Sequence, residues 1–357
     1  MTRYDEEEAF HAKDRKQFRK ERKLAQQKDR SKFKKSDQQV ETKEKLLSHL
    51  PRGRVIAIGG EGVWVEAEGE KLLCSLKGAL KKKREQVKNL IAVGDWVRLG
   101  DDFSIEQIEE RISILSRTDI SGHKQQLIAA NIDQVFIVAS VVNPPLKPAL
   151  IDRYLIAAEK GNIHPIIIIN KTDLLHTAPP EEIERYQQFL FDYERLGFPI
   201  LSLSIHEKKG LDALCAFLKN KTSVFSGQSG VGKSSLLNIS FGMNRTIGSL
   251  TAKTAKGSHT TTQAELLSLP DGGYCIDTPG VRSFGIWEMT KEDLIAHFQE
   301  ITALSPSCRF LNCAHINEPE CAVHKALEEG LISPLRYESY STLLQEIAAG
   351  PNRKTWS

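Results

Sequence analysis

Short segments in which apolar and polar residues alternate follow one another between residues 53 and 115. They are GRVIAI, GVWVEA, KLLCSL, VGDWVRL, SIEQI and RISIL, with glycines or charged residues between them. Alternation with a period of two residues predicts strands that bury one face. Five or so short strands in one compact segment predict a small antiparallel barrel of the OB type, which we place at residues 49–117.

Near residue 118 the pattern changes to continuous apolar runs separated by helical segments. QVFIVASVV (134–142) and PIIII (165–169) are typical of strands buried on both faces of a parallel sheet. ALIDRYLIAAEKG and PEEIERYQQFLFDYERLG predict helices that end near Gly161 and Gly197. PILSLS, TSVFS and YCIDT predict further strands. Residues 118–288 therefore read as a doubly wound α/β domain.

Helical patterns return after residue 288. Thr290 is placed to cap the segment KEDLIAHFQEI, and Ser333-Pro334 to open LRYESYSTLLQEIAA. We therefore predict an α-helical C-terminal domain at 289–357.

Charge is distributed unevenly around a net value of +3. Residues 11–35 carry 12 Lys or Arg and 3 Asp or Glu, which is +9, so the rest of the chain is about −6 (3 − 9). We expect residues 1–48 to form a basic arm, either a disordered solubilising tail or a segment that neutralises phosphates on a polyanion. Lys81, Lys82, Lys83 and Arg84 add a basic patch to the barrel, which is either a solvated face or an RNA contact.

The longest apolar runs are too short to span a bilayer, and the charged N-terminus does not resemble a secretory signal. The sequence therefore predicts a cytoplasmic protein with reduced thiols and no membrane partner. Without heptads or an extended apolar face, we expect a monomer. Cys74, Cys215 and Cys275 lie in apolar runs and read as small core residues.

The segment TSVFSGQSGVGKSSLL (222–237) is a strand, a G-x-x-x-x-G-K-S loop and a helix, the context in which this motif binds phosphates. Lys233 is expected to reach the β- and γ-phosphates, and the Ser234 hydroxyl to bind Mg²⁺. The loop's predicted nucleotide-binding residues are Gly227, Gln228, Ser229, Gly230, Val231, Gly232, Lys233, Ser234 and Ser235.

A base-recognition motif, NKTD, follows the buried strand PIIII directly. Asp173 is placed to accept hydrogen bonds from the ring N–H and the exocyclic amine of guanine, a pair of donors that adenine does not offer. Asn170 would brace the phosphate loop, the Lys171 stem would lie over the base beside Thr172, and Ser204 would support the base from below.

Two further nucleotide motifs come later in the chain. In DTPG (277–280), Asp277 is expected to hold Mg²⁺ through a water, and the Gly280 amide to meet the γ-phosphate. In GSHTTT (257–262), Thr261 is expected to complete the Mg²⁺ shell. The motifs run base-reader, phosphate loop, switch I and switch II, so the chain is predicted to be a circularly permuted GTPase, a rearrangement that the proximity of domain termini permits.

Together NKTD, GQSGVGKSS, HTTT and DTPGVRSFG, with the barrel before them and a cysteine cluster after them, closely resemble the family of small-subunit ribosome biogenesis GTPases called RsgA or YjeQ. The resemblance covers about residues 50–349. It implies GTP hydrolysis that is stimulated by the small ribosomal subunit, contact with its rRNA and a role late in its maturation.

The residue that orients the attacking water is not evident. Many GTPases place glutamine directly after the D-x-x-G turn, but here that residue is Val281, so we expect slow intrinsic turnover. His259 is a candidate to orient the water or accept its proton, with Thr261 and Lys233 as the other catalytic residues. The alternative is that His259 only caps or packs the switch.

The segment CRFLNCAHINEPEC has the spacing C-x4-C-x-H-x5-C. Cys308, Cys313, His315 and Cys321 form a complete tetrahedral set for one structural Zn²⁺. His324 lies outside this spacing, and we expect it to face solvent. The family resemblance implies zinc at the same four positions.

The motifs predict a GTPase, and the family resemblance implies that it binds the small ribosomal subunit and couples hydrolysis to release. Two alternatives remain at this point: a slow sensor whose GTP- or GDP-bound state regulates an RNA-bound partner, and an RNA chaperone with a structural nucleotide.

Overall fold

The structure is a computed structural model of the chain, and it describes residues 49–78, 80, 90–118, 125–242, 264–277 and 289–349. The predicted basic arm, the basic patch at 81–84, the predicted switch segment 257–262 and residues 278–288 lie outside these ranges. Helices and strands are numbered below in chain order over the described residues.

Five strands form the predicted barrel: β1 (Arg52–Ile58), β2 (Val63–Ala67), β3 (Glu70–Leu76), β4 (Trp96–Leu99) and β5 (Ser104–Ile108). β1, β2 and β3 form a meander, and β4 pairs with both β1 and β5 while β5 pairs with β3, which closes the barrel. Its interior is apolar and includes the fully buried Val55, Val65, Val97 and Ile105. The prediction of an OB-like barrel is confirmed.

The sixth alternating run does not belong to the barrel, contrary to the sequence prediction. It forms β6 (Ile114–Thr118), which pairs with β7 (Gln125–Ala130) in a separate two-stranded sheet. Because β4 is already paired on both sides, a closed barrel offers β6 no free edge.

The α/β domain contains the strands β8 (Gln134–Ser140), β9 (His164–Asn170), β10 (Ile200–Ser202), β11 (Thr222–Ser226), β12 (Glu265–Ser268) and β13 (Tyr274–Asp277). Their order is β10-β9-β8-β11-β13-β12, and all neighbours are parallel except β12, which runs antiparallel to β13. The helices in this part of the chain are α1 (Pro148–Lys160), α2 (Pro180–Arg195), α3 (Leu211–Leu218) and α4 (Lys233–Ser240).

Burial explains which of these strands the sequence revealed. Every residue of β8 and β11 is buried, so their apolar runs are continuous. The four-residue β12 has one buried residue, Leu266, and the sequence did not predict it. Cys74 and Cys275 are buried as expected, but Cys215 is exposed. On α3 the buried positions are Leu214 and Leu218, four residues apart, and Cys215 lies outside that stripe.

The barrel strands and the strands of the α/β domain belong to one continuous sheet. β12 pairs with the barrel strand β1 through Ala57 and Glu265, so a single eleven-stranded sheet runs from β10 to β4. The barrel and the α/β domain therefore share backbone hydrogen bonds at this joint.

The C-terminal region contains α5 (Lys291–His297), α6 (Gln299–Thr302), α7 (Ala322–Glu328) and α8 (Pro334–Ala349). Thr290 caps α5 in a reciprocal capping box with Asp293, as the sequence predicted. The predicted helix KEDLIAHFQEI is two helices, because the backbone of the fully buried Phe298 departs from helical geometry (φ −95°, ψ 60°).

A buried polar cluster attaches these helices to the α/β domain at Asp152 on α1, a fully buried residue. Its Oδ1 accepts hydrogen bonds from Arg336 and from His297 Nε2 (3.1 Å), and its Oδ2 accepts from Tyr193 (2.6 Å) and Ser339. Burial alone would raise the pKa of Asp152, but the charge of Arg336 and these hydrogen bonds outweigh it and lower that pKa. One carboxylate thus joins α1 and α2 to α5 and α8.

In the part of the chain that the structure describes, no helix combines the length and apolar character required to cross a membrane.

Candidate functional site

The phosphate loop connects β11 to α4 and lies against two neighbouring strands. A Cβ atom on Gly227 would lie 2.1 Å from the carbonyl oxygen of Val138 on β8, and one on Gly232 would lie 2.3 Å from Asn170 Nδ2 at the end of β9. Both glycines have positive φ angles, +139° and +101°. The motif requires glycine at these two positions because the loop backbone approaches its neighbours without space for a side chain.

Lys233, the first residue of α4, turns its ammonium group back over the loop. Its Nζ donates hydrogen bonds to the carbonyl oxygens of Gly227 (2.8 Å) and Gln228 (2.6 Å). Ser234 and Ser235 follow it in the first turn and are exposed, as are Ser229 and Gly230 within the loop, whereas Val231 is fully buried. A lysine ammonium beside the N–H groups at the start of a helix suits the binding of an anionic phosphate group.

The NKTD motif begins at the end of β9 and contacts the phosphate loop. Asn170 Nδ2 donates a hydrogen bond to the carbonyl oxygen of Val231 (2.8 Å). Lys171 adopts a left-handed backbone (φ 63°) and starts the 3₁₀-helix Thr172–Thr177, while its Nζ donates to the carbonyl oxygen of Asn143. The structure therefore brings the predicted base-reading and phosphate-binding segments to one edge of the sheet.

Asp173 is held by Ser204, which follows β10. The Ser204 hydroxyl donates to Asp173 Oδ1 at 2.6 Å, and the backbone N–H of Glu207 donates to the same hydroxyl oxygen at 3.0 Å. The contact orients the carboxylate with one oxygen occupied by serine, which leaves Oδ2 for another donor. Ser204 thus lies beside the side chain that is expected to read the base.

Asn143 is a site residue that sequence reasoning missed. It lies in the loop after β8, at the same edge of the sheet, and its carbonyl oxygen fixes the Lys171 side chain. The available signal was its position directly after a buried strand, where ligands bind in open α/β sheets.

The remaining predicted nucleotide residues lie at or beyond the limits of the described chain. Asp277 ends β13, which runs parallel to β11, so the carboxyl end of β13 lies at the same edge of the sheet as the phosphate loop. His259, Thr261, Gly280 and Val281 lie outside the described residues. Of the predicted Mg²⁺ ligands, the structure therefore gives a side-chain position for Ser234 alone.

The predicted metal cluster is assembled in the C-terminal region. One ligand atom from each of Cys308, Cys313, His315 and Cys321 lies within 4.8 Å of the other three. Cys321 Sγ is 3.7 Å from Cys313 Sγ, 4.0 Å from Cys308 Sγ and 3.5 Å from His315 Nδ1. A tetrahedral zinc ion with Zn–S bonds of about 2.3 Å requires Sγ–Sγ separations of about 3.8 Å. The donor set and its spacing therefore fit zinc.

Neighbouring side chains hold this cluster in place. Ser305 Oγ lies 3.0 Å from His315 Nε2, which leaves Nδ1 turned toward the thiols. Glu318 accepts the backbone N–H groups of Ala314 (2.8 Å), Ile316 (2.9 Å) and Asn317 (3.1 Å). Burial alone would raise the pKa of Glu318, but these donors outweigh it and lower that pKa to about 2.

His324 does not face solvent freely, contrary to expectation. Its Nε2 lies 3.1 Å from the carbonyl oxygen of His315 and 3.0 Å from the hydroxyl of Tyr337. Because α7 begins directly after Cys321, its first turn faces the cluster, and His324 packs beside it without providing a ligand atom.

Comparisons with known proteins agree with this geometry. A model of the RsgA GTPase family matches residues 108–287. The chain is 36% identical over 318 residues to "Small ribosomal subunit biogenesis GTPase RsgA 1" of Vibrio vulnificus, covering 88% of this chain and 89% of the relative. It is 38% identical over 310 residues to "Small ribosomal subunit biogenesis GTPase RsgA" of Chlorobaculum parvum, covering 83% of this chain and 97% of the relative.

Two solved structures share the fold. The structure of YjeQ from Thermotoga maritima is similar with a TM-score of 0.65 and 33% identity, covering 84% of this chain and 99% of that one. The structure of YloQ, described as a circularly permuted GTPase, is similar with a TM-score of 0.62 and 30% identity, covering 85% of this chain and 96% of that one.

Proposed function

The chain belongs to the RsgA GTPase family and is a GTP hydrolase, and from this premise we propose that it acts on the small ribosomal subunit during the maturation of that subunit. Relatives that align over most of both chains are named for this role. In this proposal the GTP-bound protein holds the subunit and its rRNA as a cytoplasmic monomer, the subunit stimulates hydrolysis, and hydrolysis triggers release.

The contact between Asn170 and Val231 is the observation that carries the nucleotide assignment. At 2.8 Å it joins the end of β9, which directly precedes the 3₁₀-helix with Asp173, to the loop that directly precedes Lys233, and this supports base recognition and phosphate binding in one site. Asn170 Oδ1 is buried and has no hydrogen-bond partner among the described residues, which is consistent with a further donor at this site. We assign guanine recognition to Asp173 and phosphate binding to residues 227–235.

Magnesium and zinc have separate roles in this proposal. Mg²⁺ supplies charge neutralisation at the β- and γ-phosphates when GTP is bound, with Ser234, Thr261 and Asp277 as its proposed ligand set. Zinc supplies structural cross-linking of the C-terminal loop through Cys308, Cys313, His315 and Cys321, because four protein ligands leave no position for a substrate.

Guanine recognition can be tested by reversing it. In Asp173→Asn, Ser204 can still donate to the remaining oxygen, so the amide Nδ2 would face the base. That donor complements the 2-oxo group of xanthine and repels the 2-amino group of guanine. Replacing Asp173 Oδ2 by an N–H donor removes one charge-assisted hydrogen bond, worth about 1.5–3 kcal/mol, which should lower GTP affinity by about 10- to 150-fold. We expect xanthosine triphosphate to bind the variant better than GTP does; unchanged GTP affinity would contradict the assignment.

The partner can be tested by measuring phosphate release from GTP, with ATP as control, alone and with purified small or large ribosomal subunits. Stimulation by the small subunit alone is expected, and Lys233→Ala should abolish it. Equal rates with either subunit or with none would reject the small subunit as partner. The sensor alternative keeps one supporting observation, Val281 at the usual glutamine position. If small subunits leave the hydrolysis rate at its basal value, the result would favour the sensor alternative.

A further inference from the structure

A single barrel strand, β1, contacts the three strands that lead to the phosphate side of the nucleotide site. β12 pairs with β1 through Ala57 and Glu265, and it follows the segment that contains the predicted switch I. β11 ends at the phosphate loop, and β13 ends at the DTPG turn. At the other, amino-terminal end of β11 and of β13, each strand contacts a second β1 residue, Arg54.

Arg54 lies at the amino ends of β11 and β13 and is only 6% exposed. Its Nη2 donates to Thr222 Oγ1 at 2.7 Å and to the carbonyl oxygen of Asn131 at 3.0 Å. Its Cζ lies 4.8 Å from the ring centroid of Tyr274 and 5.1 Å from that of Trp96. Thr222 and Tyr274 are the first residues of β11 and β13 and are paired with each other, so one guanidinium contacts the start of both strands.

A second barrel strand reinforces this joint. The Tyr274 hydroxyl donates to Glu66 Oε2 on β2 at 2.9 Å. On the apolar side, Ile56 of β1 belongs to the same buried cluster as Leu266 of β12 and Ile276 of β13. Beside Arg54 the joint is open, with a cleft of about 370 Å³ between the barrel and the amino ends of the strands. Arg54 and Tyr274 line this cleft, so their contacts connect the barrel to the amino ends of β11 and β13 on its open side.

The contacted strands are short enough to transmit a shift of β1. β11 has 5 residues and β13 has 4. At about 3.3 Å per residue, Arg54 acts within about 17 Å of the phosphate-side loops. Both strands lie inside a hydrogen-bonded sheet, so a displacement at one end moves the other end with little bending.

We propose that Arg54 is a positioning residue that couples the barrel's contact with its partner to GTP hydrolysis. In this inference, binding at the barrel shifts β1. Arg54 and Tyr274 pass the shift to β11 and β13, and β12 moves with β1 because the two strands are paired. Coupling is reciprocal, so the bound nucleotide also changes the barrel joint. The inference rests on the proposed function for its partner, but the joint itself is independent of that partner's identity.

The test compares Arg54→Ala with Arg52→Ala. Arg52 is a control because it lies two residues earlier on β1, its Cζ is 3.9 Å from the same Trp96 ring, and its hydrogen bonds go to Glu109, which directly follows the barrel strand β5. GTP hydrolysis is measured without small subunits and at saturating small subunits, and subunit affinity by co-sedimentation with a non-hydrolysable GTP analogue. For Arg54→Ala we expect an unchanged basal rate and GTP affinity, and stimulation lower by about fivefold or more.

Arg52→Ala should retain full stimulation, and Arg54→Lys should recover part of it. Full stimulation of Arg54→Ala, or equal losses in both alanine variants, would overturn the inference. Tyr274→Phe keeps the ring beneath Arg54 and removes only the hydroxyl that bonds Glu66, so it gives a milder variant if Arg54→Ala folds poorly. Its stimulation should fall between those of Arg54→Ala and the unaltered protein.

Hydrogen exchange separates this inference from the proposed function. Exchange of the β1 amides is compared between the GDP complex and the complex with the non-hydrolysable GTP analogue, without ribosomal subunits. A nucleotide-dependent difference in the unaltered protein that disappears in Arg54→Ala supports coupling, even if no subunit stimulates hydrolysis. Absence of a difference in the unaltered protein would overturn it.

Discussion

Replacing Asp152 by alanine should detach the C-terminal helices from the α/β domain. Asp152 has no solvent exposure and accepts four hydrogen bonds, three of them from α5 and α8. Arg336, only 2% exposed, would keep Glu300 as an ion-pair partner at 2.7 Å but would lose its more deeply buried one. The variant would therefore leave a buried positive charge with incomplete compensation.

The size of the effect follows from that imbalance. Removing one member of a buried ion pair typically costs about 3–5 kcal/mol, which is roughly 150- to 5,000-fold in the docking equilibrium. The ion pair between Arg153 and Glu346 provides a control. Like the pair of Asp152 and Arg336 it joins α1 to α8, but its side chains are 19% and 17% exposed. For Glu346→Ala we expect a loss of about 1 kcal/mol.

Native-state hydrogen exchange of the α8 amides measures the opening free energy directly. In Asp152→Ala that free energy should fall by about 3–5 kcal/mol, while amides in the buried strands β8 and β9 keep theirs. The double variant Asp152→Leu with Arg336→Met should recover much of the loss, since it removes both buried charges. A decrease of less than about 1 kcal/mol in Asp152→Ala would refute the assigned role of this carboxylate.

Three further predictions concern the zinc cluster, pH and catalysis. Chelation of zinc should release one ion per chain and make residues 290–349 protease-sensitive while GTP binding persists; retained resistance in stripped protein would contradict this. Burial alone would lower the pKa of His297, but its hydrogen bonds to Asp152 and Glu159 raise it. Charged His297 therefore stabilises docking fully below its ordinary pKa of 6.5, and this contribution is lost as pH rises through its raised pKa in the folded protein. The α8 opening free energy should fall over that pH range. An opening free energy that does not change with pH in the unaltered protein would exclude the effect. Finally, His259→Ala should lower the rate of hydrolysis more than GTP affinity, and equal losses of both would argue for a packing role.

The sequence was most informative where one residue type meets a geometric requirement. Gly227 and Gly232 were recognisable because the phosphate loop approaches Val138 and Asn170 too closely for a Cβ atom. The cluster of three cysteines and one histidine was recognisable as a candidate zinc site because the spacing within a short loop suits a tetrahedral ion. The strands β8 and β9 were recognisable because both faces are buried, which gives continuous apolar runs.

Local pattern failed where the outcome depended on a distant partner. The run RISIL has the alternation of a barrel strand, yet it pairs with β7 because the barrel is already closed. His324 reads as a solvent-facing helical residue, but α7 packs it against His315 and Tyr337. In both cases the sequence predicted the right kind of element, a strand or a helix. It did not predict the segment elsewhere in the chain against which that element packs.

The sequence by itself determined the family, the nucleotide and metal motifs, and the permuted order of the domain, because these depend on residue types at short, fixed spacings. Only the tertiary structure showed that Asp152 joins four helices and that Arg54 contacts both β11 and β13. Thr222 is 168 residues from Arg54 along the chain, and Arg336 is 184 residues from Asp152. Contacts at such separations leave no periodic signal in the sequence, since they arise only when the packed sheet and helices bring the side chains together.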